Sequence, residues 1–411
     1  MNAGPKRNDT LSWPQLEKIL TQLFAETKLG VVVFSGGEST LLGEDLLKAL
    51  RLCKQHGVIT RLVTNAFWAT SPEAAYAKLK ELRDAGLDEV NISTDDYHLP
   101  YISLQKVRFA FDAARKIDFM SLVLCNAYGP QSWLTPERIN KEFGEGDEMH
   151  RRFDANGARV DVERQEGRTM VMLSNGVSMQ LGRGVQGLDE SEVLQHANTH
   201  IDEIGEQIGG CPWAVRSAAI SAKGHFVSCC GFEVEDNQIL DYGDLNKHSL
   251  AELMDRADND LITNMIAIIG PVKLKQLLQQ IAPDEVSFPR KSYRGYCEVC
   301  EDLVSIKQNR EALYKYQSHF VEAIVAARAA LQTAFTVDGR VRIPVGKNLQ
   351  LRAHIPSEPD AAGQKPLPII DLTLTQGETQ EPAPKTGEPS GQAPSQPGRS
   401  LPVFQPGSRC G

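Results

Sequence analysis

The sequence predicts an α/β fold: an incomplete parallel barrel, then a small cysteine-rich α+β region, then a disordered tail. Three observations predict it. Short apolar runs alternate with helix-periodic segments from Leu11 to beyond Thr94. Five of the 8 cysteines fall between Cys211 and Cys300. From about Gly346 the chain turns to Pro, Gly, Gln, Ser and Thr, holding about half of its 22 prolines. Such a stretch buries too little apolar surface to offset the entropy of ordering it.

The elements follow in order. Ser12-Trp13-Pro14-Gln15 reads as a capping box opening a helix through about Glu26. Gly30 to Ser35 is a continuous apolar run rich in β-branched residues, the pattern of a strand buried on both faces. A helix spans about Leu41 to Gln55 and stops at Gly57, and Val58 to Thr64 is the next strand. Ser71-Pro72-Glu73 opens a helix that Gly86 closes. Leu87 to Thr94 is a strand, Leu104 to Lys116 a helix, and Phe119 to Asn126 a strand. This spacing implies a parallel sheet or barrel whose active face lies at the strand C-termini.

Beyond Tyr128 the pattern is weaker. Pro136 to Phe153 reads as helical but contains the breaker Gly144-Glu145-Gly146. Arg159 to Leu173 reads as a hairpin turning at Glu166-Gly167, and Val177 to Leu181 as a last core strand. Ile306 to Phe335 reads as one long helix.

Composition excludes some classes. A formal charge of −9 offers no basic excess to displace phosphate counterions, so no nucleic-acid partner is expected. No 18-residue apolar run exists, so no membrane partner is expected. The start, MNAGPKRNDTLSW, lacks an apolar secretory stretch; a cytoplasmic location with reduced thiols is the expectation.

Chemistry-bearing residues gather at the strand ends. Ser35-Gly36-Gly37-Glu38 follows the first strand; its glycines let a ligand approach the backbone, and Glu38 can accept from an ammonium. The next strands end in Thr64-Asn65-Ala66, in Asn91-Ile92-Ser93-Thr94-Asp95-Asp96-Tyr97-His98, and in Cys125-Asn126. Leu181-Gly182-Arg183-Gly184 ends the last strand candidate. Each alone reads as a turn or helix cap. Four neighbours have blander readings still: His98 as a solvated loop residue, Cys53 and Cys125 as small core residues, Trp68 as a core cap.

The cysteine-rich region is more specific. Gly210-Cys211-Pro212-Trp213 precedes a hairpin, AAISA, then Lys223-Gly224, then HFVSCCGF, which puts Cys229 at the hairpin exit. Cys297-Glu298-Val299-Cys300 is a C-x2-C whose close thiolates can reach one ion or one cluster. Two such pairs make a tetrathiolate site, and zinc and an iron–sulfur cluster both suit it.

Taken together, VVVFSGGEST, LVTNAFWA, LDEVNISTDDYH and SMQLGRG, in this order, resemble the core of the radical S-adenosylmethionine (SAM) enzymes, over about Leu11 to Gly187. The resemblance implies an incomplete (β/α)6-type partial barrel that binds SAM. It implies that Gly36, Gly37 and Glu38 hold the methionyl amino group. Ser93 with Asp95 would face the methionyl carboxylate or ribose, Asn126 the ribose, and Arg183 the carboxylate. Residues 205–305 resemble the shortened SPASM (twitch) domain, which carries one auxiliary [4Fe-4S] cluster. By that match Cys211, Cys229, Cys297 and Cys300 are ligands and Cys230 the spare, although Cys229 and Cys230 could exchange roles. A helix at 306–336 and a tail at 346–411 complete the expected organisation.

The family's C-x3-C-x2-C loop, which holds the SAM-cleaving cluster, is absent from these 411 residues. The expectation is a chain that begins downstream of its natural start and cannot cleave SAM reductively; the other explanation is a natural relative without redox chemistry. An intact form is expected to form a 5′-deoxyadenosyl radical and abstract hydrogen from a substrate, with a peptide or protein as the analogy. The contrasting expectation is a non-enzymatic scaffold around a structural zinc site. A third is a protein that binds SAM without radical chemistry.

Overall fold

The computed structural model describes residues 9–27, 29–144, 169–182, 184–189, 192, 210–211, 214, 219–229, 234–293, 295–325, 327–328, 347–354 and 369–376. Five strands, β1 (Val31–Phe34), β2 (Ile59–Thr64), β3 (Glu89–Ser93), β4 (Ser121–Tyr128) and β5 (Met170–Val177), form one parallel sheet in chain order. Helix α1 (Trp13–Glu26) precedes β1, and α2 (Glu44–Gln55), α3 (Pro72–Ala85), α4 (Leu104–Lys116) and α5 (Pro136–Phe143) run between successive strands. The capping box at α1 is present, with the Ser12 N–H donating to Gln15 Oε1 at 3.0 Å. Ser71 caps α3 by accepting from Ala74 N.

Side-chain alternation divides the sheet into two faces. Phe34, Leu62, Val90, Ile92, Leu122 and Leu124 pack into one core with Leu46, Leu50, Leu79, Leu82, Ala110, Phe111, Ile139 and Phe143 of the helices. The alternate positions, Val33, Arg61, Val63, Asn91, Ser93 and Cys125, point to the opposite, open face, and Val33 is 45% exposed. A five-stranded parallel sheet with its helices packed on one face fits a partial barrel. Among the described residues β1 forms one edge of this sheet.

Two expectations need correction, and two more fall largely outside the described residues. The last core strand is Met170–Val177, not Val177–Leu181, and it pairs with β4 from Ser121↔Met170 to Tyr128↔Val177. Met170 to Leu173, expected as the second arm of a hairpin, is strand and pairs parallel with β4, while the expected first arm and turn lie within residues 145–168, outside the described region. Helix α5 stops at Phe143, because Gly144 ends it, and the expected continuation to Phe153 falls mostly outside the described residues. The long helix expected over 306–335 breaks: α11 (Lys307–Tyr316) is followed by a tighter turn at Gln317–Phe320.

The second region contains a three-stranded antiparallel sheet, β6 (Ala219–Ile220), β7 (His225–Val227) and β8 (Asp241–Asp244). The short α6 (Gly184–Gly187) precedes it. The helices α7 (Leu250–Asn259), α8 (Leu261–Ile268), α9 (Pro271–Ile281) and α10 (Tyr296–Ser305) follow it. It docks on α1 at one end. Ile19 packs with Phe226, Leu245, Leu250 and Leu253, while Lys18 Nζ donates to Leu245 O at 3.0 Å. Within the stretch read as tail, β9 (Lys347–His354) and β10 (Ile369–Gln376) pair antiparallel, with Leu351↔Leu372 and Leu349↔Leu374 in register. No single helix among the described residues is long and apolar enough to cross a membrane; the bent pair α8–α9 is buried in the second core.

Candidate functional site

The C-terminal ends of the five strands are stitched together by the polar residues that the sequence placed there. Glu38 leaves β1 and reaches β2. Its Oε1 accepts from Thr40 N (3.2 Å), Thr40 Oγ1 (2.6 Å) and Thr64 Oγ1 (2.9 Å), and its Oε2 from Asn65 N (2.8 Å). Beside it Gly36 adopts φ +135°, a left-handed backbone that favours glycine. A Cβ on Gly36 or Gly37 would meet nothing within 4 Å, so the turn is open to a ligand.

After β3 the four-residue run Asp95 to His98 makes the next stitches. Buried Asp95 accepts from Tyr97 N, from His98 N and from the His98 ring nitrogen Nδ1 at 2.7 Å. Asp96 accepts from Leu134 N at 3.1 Å beyond β4, and the Tyr97 hydroxyl pairs with Ser178 Oγ at 2.6 Å beyond β5. The sequence left His98 as a solvated residue; the structure pairs it with Asp95 instead. That hydrogen bond, only partly opposed by burial, raises the imidazole above its ordinary 6.5. The pair's contribution to stability is thus complete below pH 6.5 and fades as pH rises through the folded-state value. An NMR titration is expected to show the His98 midpoint above 6.5, and Asp95→Asn to bring it back towards that value. A midpoint unmoved by the substitution contradicts the assignment.

The remaining site candidates divide between the faces. Ser93 is on the open face, in register with Cys125. Asn126 has the opposite parity: it is 3% exposed, donates to Leu134 O at 3.2 Å, and leaves Oδ1 buried with no protein donor. Arg183 lies outside the described residues. Burial pushes the Cys125 thiol up to about 12, so it stays protonated near neutral pH.

Sequence reasoning missed the polar centre of the open face. Arg61 Nε and Glu89 Oε2 form an ion pair across β2 and β3, with side chains 16% and 8% exposed. Two steps along β3, the Oδ1 of Asn91 is a buried acceptor with no protein donor. Charges inside otherwise apolar strands were the available signal, but only the register makes residues 61 and 89 partners.

In the second region the four cysteines converge from three segments. Cys300 is buried in a core against which Cys211, Cys229 and Cys297 pack. Burial pushes the Cys300 thiol well up, and the sulfurs of Cys229, Cys211 and Cys297 push it further. Cys230 lies outside the described residues. Among the described residues, the group with three ligand atoms all within 4.8 Å of one another is not these thiols but His225, Asp236 and Asp241. There Asp241 already accepts from the His225 ring, from Asp236 N and from Gly243 N, which is the work of a turn staple.

Comparison with known proteins fits this geometry. Residues 2–110 match the model of the radical SAM superfamily. That match runs from α1 into α4 and includes the Gly36-Gly37-Glu38 turn. The chain is also 20% identical over 115 residues to the putative peptide biosynthesis protein YydG of Bacillus subtilis (strain 168). That match covers 28% of this chain and 36% of the relative, so the chain spans about a third of its length. The family's chemistry uses SAM and an iron–sulfur cluster.

Proposed function

We propose that residues 11–187 bind SAM across the C-terminal rim of the sheet and that residues 205–305 hold an auxiliary iron–sulfur cluster on Cys211, Cys229, Cys297 and Cys300. The observation that carries this reading is the convergence of four thiols from three segments into one core. Four thiolates suit tetrahedral zinc and an iron–sulfur cluster alike; the resemblance of residues 205–305 to the twitch domain favours the cluster.

At the rim, Gly36 and Gly37 leave room for the methionyl group and Glu38 offers a carboxylate to its ammonium. Ser93 and Asp95 at the end of β3, with Arg183, are the proposed contacts to the carboxylate and ribose; Asn126, buried on the helix-facing side of β4, is not among them. SAM bound there would be a source of hydrogen-abstracting chemistry only in the company of a reducing cluster, for which these 411 residues hold no C-x3-C-x2-C. The open face beneath, with Arg61, Glu89 and the unpaired Asn91 acceptor, is a polar floor able to orient an amide-bearing substrate. The relative's name supports a peptide as that substrate.

These 411 residues supply no C-x3-C-x2-C, and we expect them to bind SAM without cleaving it. Anaerobic reconstitution followed by iron, sulfide and zinc analysis, with calorimetry against SAM, tests the proposal. Iron and sulfide together with SAM binding support it; one tightly held zinc and no SAM binding support the scaffold instead. Formation of 5′-deoxyadenosine by the reconstituted chain would overturn the expected lack of cleavage.

A further inference from the structure

We infer that Glu298 and Glu301, the acidic residues interleaved with the C-x2-C thiols, are positioning residues that fasten the segment leaving β5 to the thiol site, so that filling that site orders the sheet's rim. The inference rests on the four-thiol assignment proposed above and extends it to a second location.

The geometry begins with helical spacing. Cys297 and Cys300 lie three residues apart on α10, as do Glu298 and Glu301, so the thiols and the acids form two adjacent stripes on one short helix. The acid stripe meets residues 180–182. Glu298 Oε1 accepts from Gln180 N at 2.8 Å, and Glu301 Oε1 accepts from Gly182 N at 2.9 Å. Alternate amides of the segment after β5, which turns at Leu181 and Gly182, are thus gripped by successive turns of a helix.

A third clamp closes on the carbonyl side. Arg290 Nη1 donates to Gln180 O at 2.7 Å, while the same guanidinium pairs with Glu301 and, through Nε at 3.1 Å, with Asp302. Tyr293 also donates to Asp302, at 2.8 Å. Apolar contacts follow the same line. Leu181, 7% exposed, lies in the core that contains Cys300, and Met179 packs against that core. At Gly295, just before α10, an added Cβ would stand 3.0 Å from Met179 Sδ.

Glu298 is fully buried, and a buried carboxylate is costly unless it is hydrogen-bonded. Its retention at this contact fits a role in holding the segment better than one in filling space. From Gln180 the line of contacts continues to the SAM side. Two residues earlier, Ser178 Oγ pairs with the Tyr97 hydroxyl, and the Tyr97 N–H donates to Asp95. Arg183, the proposed carboxylate contact, directly follows Gly182. Four ligated sulfurs would fix α10 relative to Cys211 and Cys229; the acid stripe would then hold residues 180–182 in one place.

Amide hydrogen exchange of the full chain, filled with metal and metal-free, reads this directly. The amides of Gln180 and Gly182 are expected to exchange about 10-fold more slowly in the filled protein. Glu301→Ala is expected to erase most of the difference at Gly182 with metal content unchanged, and Glu301→Gln, which keeps an acceptor oxygen, to preserve it. SAM affinity is expected to be at least about 5-fold higher in the filled form, within the usual range of coupling between sites. Equal exchange at 180–182 in the two wild-type forms overturns the inference, as does a difference that Glu301→Ala leaves intact. The wild-type comparison stands even if the variant fails to fold. Failure of the functional proposal reads separately. A zinc-filled protein that ignores SAM would refute the latter, while the exchange comparison works with zinc as well as with iron.

Discussion

Cys300→Ala is expected to empty the four-thiol site. In structural zinc sites four ligands share on the order of 10–16 kcal/mol of binding, so for zinc the loss of one weakens affinity by roughly 100-fold. Iron and sulfide measured after reconstitution should fall to background. The second core should melt earlier, because Cys300 sits among Leu277, Leu303 and Leu313 and the metal would tie that core together. Cys53→Ala is the matched control. Cys53 is also fully buried, in α2, and burial pushes its thiol up to about 12. It packs among aliphatic side chains of the helix layer with no second thiol in that core, so its loss should cost about 1 kcal/mol of packing and no metal. Equal metal loss in both variants, or none in Cys300→Ala, would sink the assignment.

The two cysteines illustrate what the sequence could convey. The C-x2-C spacing was visible because it is local, but the approach of Cys211 and Cys229 depends on how β6, β7 and α10 pack. The first four strands were legible to within a few residues, since each is a short apolar run closed by a turn or cap residue. β5 was not. Its Asn175-Gly176 pair has the composition of a turn. The structure keeps both residues in the strand, opposite Asn126 and Ala127, because backbone pairing with β4 outweighs the local preference. The β9–β10 pair escaped for a related reason: its alternating Leu349, Leu351, Leu372 and Leu374 are diluted by a Pro- and Gly-rich surround. At the rim, alternation misled in the opposite sense. Asn126 lies near the end of β4 much as Ser93 ends β3, yet it falls on the helix-facing side, and only register separates the two.

Glu38 is where local sequence and tertiary role compete most directly. A carboxylate offers about four lone-pair sites, and Thr40, Thr64 and Asn65 already donate to Glu38, so an ammonium must displace one of them. The Thr40 hydroxyl is the natural one to yield, since it can turn about its own χ1, whereas the Asn65 N–H is fixed by the end of β2. Glu38→Ala removes the acceptor for all of them. Each hydrogen bond to a charged group contributes about 1.5–3 kcal/mol, and water reaching this partly exposed turn replaces some. A loss of about 3 kcal/mol in urea unfolding is therefore expected. Glu38→Gln keeps one carbonyl oxygen for Thr64 and Thr40 but turns a donor towards the Asn65 N–H, for a loss of about 1 kcal/mol. The two roles separate in SAM calorimetry. If the carboxylate receives the ammonium, Gln lowers affinity about 10-fold or more, because a neutral amide lacks the charge that strengthens the bond. If Glu38 only staples β1 to β2, Gln binds SAM as the wild type does and only Ala weakens it, through the disordered turn.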